Sequence, residues 1–230
     1  MMKRRQKRTN AISRVAARNL HHAFRFTKPM LGEVTLSRYR PANVTNGIAL
    51  NLVVTINWDM TTSGVDLFDE LRNERLCQWL RTRSRQLGRK IEPTYTFARE
   101  QNHVHWCIYI PDDLIEEFED LVPRWITSLE LKGSLDRRRS ANLPPARDGV
   151  VVIGPTKDSV RVRKYMLKGI ERRSAAHFGI KVCIGQGEIQ GRRVGTSRNL
   201  GTAARRSAGY RPQRRPRTYR QLPLPSSIAA

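Results

Sequence analysis

The segment EQNHVHWCIYIP, residues 100–111, leaves the chain few choices of fold. Its large apolar residues recur at every second position. Val104, Trp106, Ile108 and Ile110 fall on one side of an extended strand, and His103, His105, Cys107 and Tyr109 on the other. Side chains as large as Trp106 have to be covered, so a second layer of structure must lie against that side. Just upstream, PTYTFARE alternates in the same way, and a very short turn joins the two runs. If Gln101 and Asn102 alone form that turn, the hairpin is antiparallel and Glu100 stands directly opposite His103. A slip of one residue would send Glu100 to the other face and make Glu92 the alternative.

The remaining elements group around this hairpin. GIALNLVVTINWD (47–59) reads as a strand with a buried centre, and GVVVIGP (149–155) as a short one. Leu67, Phe68, Leu71, Leu76, Trp79 and Leu80 keep near-helical spacing up to a stop at Gly88. A second helix starts at PDDLIEEFEDL, with Asp112 or Asp113 as cap and a break or kink at Pro123. A third covers TKDSVRVRKYMLKGIERRS, and KGSLDRRRSANLPPARDG reads as a loop. The order strand, helix, hairpin, helix, strand, helix predicts an α+β fold. Its central antiparallel sheet carries helices on one face and leaves the other partly open.

Charge divides the chain further. The net charge is +23, yet residues 1–32 hold nine Lys or Arg and no acid, and residues 189–230 hold ten Arg and no acid. The expected organisation is a basic N-terminal arm over 1–32, an ordered domain over 33–185 that begins near Gly32 or Val34, and a disordered basic Gly/Arg/Pro-rich tail over 186–230. Basic extensions on a near-neutral body favour a nucleic-acid partner, and GRRVGTSRNLGTAARR has the composition of a DNA-contacting extension. Three cysteines, Cys77, Cys107 and Cys183, are odd in number and lack zinc-ligand spacing, which points to a reducing compartment. No run approaches the length of a membrane span, so no membrane partner is expected. The acid-free N-terminus shares its composition with organelle transit peptides, and a cytoplasmic location is expected.

Two groups of residues carry chemistry. Adjacent same-face residues of a strand lie about 6.5–7 Å apart, close enough for two imidazoles to share a cation. His103 and His105 with Glu100 form an oxygen and nitrogen donor set suited to Mg²⁺ or Mn²⁺. In VRVRKYMLKGIERR, Val160, Val162, Met166, Leu167 and Ile170 fill the apolar sector of a helix. Tyr165 falls instead among Arg161, Lys164, Lys168, Glu171 and Arg172, with Lys168 as its neighbour three residues on. A tyrosine so placed can stack on a base, attack a phosphorus, or simply half-bury its ring at a helix boundary.

HVH resembles the His-hydrophobe-His signature of HUH endonucleases. YMLK is similar to the Tyr-x-x-Lys motif of their rolling-circle replication initiators (Rep proteins), and it follows HVH in the expected order. LVVTINW resembles their first motif, and a Glu at the end of the strand before HVH is similar to the third metal ligand of many Rep proteins. The resemblance covers roughly residues 47–175. It implies metal-dependent nicking and joining of single-stranded DNA at a replication origin, with Tyr165 as the single nucleophile that forms a 5′-phosphotyrosine. It also implies Lys168 beside it, Glu100, His103 and His105 around Mg²⁺ or Mn²⁺, and a plasmid, phage or virus as the replicon. The sequence contains no G-x-x-x-x-G-K-[ST] loop, so host helicase and polymerase are expected partners. Two other readings fit less of the chain. A single-tyrosine HUH transposase typically carries Gln where Lys168 stands. A non-catalytic nucleic-acid-binding protein with an RRM-like sheet leaves the donor set and the Tyr-Lys pair unexplained.

Overall fold

The structure, a computed structural model, describes residues 8–28, 43–61, 66–131, 145–146 and 148–212. Five strands form one fully antiparallel sheet in the order β5-β2-β4-β3-β7: β2 (Leu52–Asn57), β3 (Thr94–Arg99), β4 (His103–Tyr109), β5 (Val151–Pro155) and β7 (Val194–Thr196). A separate pair joins β1 (Arg8–Thr9) to β6 (Ile189–Gln190). The α+β class and the antiparallel sheet are as expected. The hairpin has the tight turn: Arg99 pairs with Val104, and the Glu100 N–H donates to the His103 carbonyl at 2.7 Å. That register puts Glu100 on the histidine side and leaves Glu92 beyond the far end of β3, where it pairs with Lys90.

One face of the sheet is covered as the alternation demands. Val104, Trp106, Ile108 and Ile110 are fully buried. They pack with Leu52, Val54 and Ile56 of β2 against a helical run and against α4 (Ile115–Glu130). The run comprises α2 (Phe68–Glu70), a π-helical stretch (Leu71–Leu76) and α3 (Cys77–Gln86), and it stops at Gly88 with φ 62°, a conformation glycine adopts without steric cost. Helix α4 runs on through Pro123 rather than breaking there. Phe118, Val122, Ile126 and Leu129 bury one stripe of it, and that burial outweighs the backbone hydrogen bond that proline lacks. Neither expected aspartate caps it; Asp113 accepts from Arg89 instead.

The other face is largely covered, and it stays open at the edge strand β5, where Val152 is 60 % exposed. Residues 8–28, expected as part of an arm, include α1 (Arg14–Phe26), which the Ser13 hydroxyl caps by accepting from the Ala16 N–H. Ala17, Leu20, Ala23, Phe24 and Phe26 of α1 pack in a second core with Ala98 and Cys107 of the sheet. The same core contains Met166 from α5 (Ser159–Met166), Leu167, Ile170, Ala175 from α6 (Arg172–Ala175) and Val194 from β7. The expected tail is likewise folded as far as residue 212. It supplies β6, β7 and α7 (Thr202–Ser207), and Tyr210 is buried against Phe26 with ring centroids 5.6 Å apart. The physical reason is that Leu20, Phe24, Val194 and Leu200 are enough apolar surface to cover a sheet face, although arginines surround them in sequence. Residues 1–7, the proposed domain start near 32–34, most of the 132–149 loop and residues 213–230 lie outside the described residues. No helix among the described residues is long and apolar enough to cross a membrane.

Candidate functional site

Three elements converge at the turn end of the hairpin. Strand β4 contributes His103 and His105, the end of β3 contributes Glu100, and α5 with the turn after it contributes Tyr165 and Lys168. The His105 Nε2–H donates to Glu100 Oε1 at 2.9 Å, since a carboxylate can only accept. The Lys168 ammonium donates to the same oxygen at 2.8 Å. It also lies over the Tyr165 ring, 4.0 Å from the centroid, while the Tyr165 and His105 rings meet edge to face at 4.8 Å. The five sequence-predicted residues therefore lie in one neighbourhood, although some 60 residues separate its two halves in the chain.

Tyr165 is 50 % exposed, whereas the side chains of Glu100 and Lys168 are only 16 % and 17 % exposed. The Tyr165 side chain can thus meet solvent or a ligand while the charges beside it sit deeper. Burial works against the charge on Glu100, but the bonds from His105 and Lys168 outweigh it and hold the carboxyl below its usual range. Burial also opposes the charge on Lys168, and its interactions with Glu100 and Tyr165 raise it above the usual lysine value. The helix is shorter than its periodicity suggests. It ends at Met166, and Lys168 stands in a turn whose N–H donates to the Tyr165 carbonyl at 3.0 Å.

The donor set fits a hard divalent cation in its chemistry. One carboxylate oxygen and one imidazole nitrogen are already in contact, and the His103 ring lies nearly parallel to that of His105 at 6.5 Å. As placed, no three His, Cys, Asp or Glu among the described residues close around a common point. The Glu100 oxygen that faces His105 is shared with Lys168.

Two supporting residues escaped the sequence reading. Thr55 of β2 pairs with His105 across the sheet, and its hydroxyl donates to His105 Nδ1 at 3.1 Å in the neutral tautomer that keeps Nε2–H on Glu100. If the ring proton moves to Nδ1, the same hydroxyl can accept it, and Nε2 then presents a lone pair. The signal was available: Thr55 interrupts the outward face of LVVTIN with a hydroxyl, and it stands opposite His105 as Asn57 stands opposite His103. Arg193 left no such signal, being one of many arginines in a segment read as DNA-contacting. It is buried, and its guanidinium donates to the carbonyls of Thr9, Arg99, Gln186 and Gly187 at 2.6, 3.1, 3.3 and 2.5 Å. It thereby ties the segment after α6 to the hairpin end that carries Glu100. Gly169 lets that segment approach, because a Cβ there would fall 2.5 Å from Gln186 Cγ. Against models of protein families, curated proteins and solved structures, the chain shows no match.

Proposed function

We propose that this chain nicks and rejoins single-stranded DNA through a 5′-phosphotyrosine on Tyr165, in the manner of a rolling-circle replication initiator. The observation that carries the reading is the junction of its two halves. The half-exposed Tyr165 lies against His105 and under the Lys168 ammonium, which is bonded to Glu100. Sequence motifs some 60 residues apart have no reason to meet this way in a protein that merely displays them on its surface. The Tyr165 oxygen would attack the scissile phosphorus and the bond to the leaving 3′ oxygen would break, leaving a 3′-OH to prime synthesis. The phenolic proton would leave to solvent, and the 3′ oxygen would gain one. Lys168 would neutralise charge as it develops near the tyrosine. His105, oriented by Thr55, would present Nε2 with Glu100 and His103 as donors to Mg²⁺ or Mn²⁺. The cation's part would be Lewis-acid polarisation of a non-bridging phosphate oxygen.

The test is a labelled single-stranded oligonucleotide library incubated with the full chain and Mn²⁺, with and without EDTA, for wild type and Tyr165→Phe. A covalent protein–DNA band on a denaturing gel that needs metal and disappears in the phenylalanine variant is the expected result. Tight binding with no band would return the chain to the non-catalytic nucleic-acid binders. A band formed only on hairpin-ended substrates would move it to the transposases.

A further inference from the structure

Lys168 and His105 approach one and the same oxygen, Glu100 Oε1, at 2.8 and 2.9 Å. A divalent cation that draws on Glu100 and His105 would coordinate its oxygens at about 2.1 Å if Mg²⁺. An ammonium in contact with that oxygen competes for its lone pairs and repels a second positive charge. The backbone of Lys168 is pinned, its N–H to the Tyr165 carbonyl at 3.0 Å and its carbonyl to the Ile184 N–H at 2.9 Å. Only the flexible side chain is free to yield, and it already lies over the Tyr165 ring. Resting on the metal-dependent reading above, we propose that Lys168 is a competitor of the divalent cation for Glu100. Cation binding displaces the ammonium from the carboxylate and leaves it to the tyrosine alone. The nucleophile's cationic neighbour is thereby shared with Glu100 until the cation is in place, which couples metal loading to the readiness of Tyr165.

The experiment measures Mn²⁺ binding to the full chain without DNA, counting free Mn²⁺ by electron paramagnetic resonance, for wild type, Lys168→Met, Lys164→Met and Glu100→Gln. Lys164 is an exposed neighbour on α5 and controls for the general field. Lys168→Met should bind Mn²⁺ about tenfold more tightly than wild type. Lys164→Met should stay within about twofold, because exposed charges are screened, and Glu100→Gln should bind far more weakly. In ¹⁵N-lysine spectra of the wild type, Mg²⁺ should shift the Nζ signal that Lys168→Met removes. Equal or weaker binding by Lys168→Met, or equal tightening by Lys164→Met, overturns the competition while leaving the metal-dependent reading intact. Failure of the wild type and both lysine variants to bind Mn²⁺ more tightly than Glu100→Gln overturns both.

Discussion

The two faces of the sheet are packed by different means. On the first, Phe68 meets Trp106 at 5.3 Å and Phe97 at 5.0 Å, with Trp58 and Phe118 fully buried beside them. On the second, the sheet presents Ala98 and Cys107, and the covering layer comes from both ends of the chain. Polar and charged groups enter this side: Arg163, Arg193, Arg205 and His105 are all buried, and His21 lies between His22 and Phe178. On the first face large rings interlock, and the indole N–H groups of Trp58 and Trp106 are buried among them without a hydrogen-bond partner. Small side chains on the sheet admit helices, carbonyls and guanidinium groups, and the candidate site forms at the margin of that side. The aromatic face acts as a rigid support, and the second face is where charge can be held at short range in partial shelter from water.

Breaking either face should separate these roles. Trp106→Ala, in the middle of the aromatic face, should cost about 3–5 kcal/mol and strip the chain of cooperative unfolding in urea. Leu20→Ala on α1 should cost about 3 kcal/mol, because the helix is part of the second core. A loose basic arm would show no change in the same titration.

Acid should distinguish the faces next. Burial, with nearby arginines adding to it, lowers His21 to about 2 and His22 to about 4, against an ordinary value of 6.5. The unfolded chain therefore binds these protons first. The stability from keeping both rings neutral is complete above about pH 6.5 and is lost progressively as pH falls through about 4 for His22 and toward about 2 for His21. Urea midpoints should fall between pH 7 and pH 5, and His21→Leu should flatten that slope. Removing the α1 cap by Ser13→Ala should cost about 1 kcal/mol. Tyr165→Phe should change stability by less than ~0.5 kcal/mol, since the ring is half exposed, while abolishing the covalent adduct. A large loss of stability in that variant would make the tyrosine part of the packing rather than of the chemistry.

Much of the first face was legible because strand periodicity is a local property. HVHWCIYI and LVVTIN state which residues go inward without reference to the rest of the chain. The proximity of Glu100 to the histidines was legible only on the condition that Gln101 and Asn102 alone form the turn, and the structure supplies that register. Thr55 was harder, because its importance depends on which β4 residue it pairs with. Arg193 and Arg205 lie in a segment whose composition reads as a DNA-contacting extension, and only the acceptors that the fold gathers around them show why they are inside.

By itself the amino-acid order determined the α+β class, the inward face of β4 and the presence of the two short motifs. These follow from interactions between residues a few positions apart. Only the tertiary structure decided that residues 8–28 and 186–212 close the second face and that Lys168 sits on Glu100 over the Tyr165 ring. Burial of a helix or a guanidinium depends on what distant segments bring to meet it, and neither composition nor periodicity records that partner.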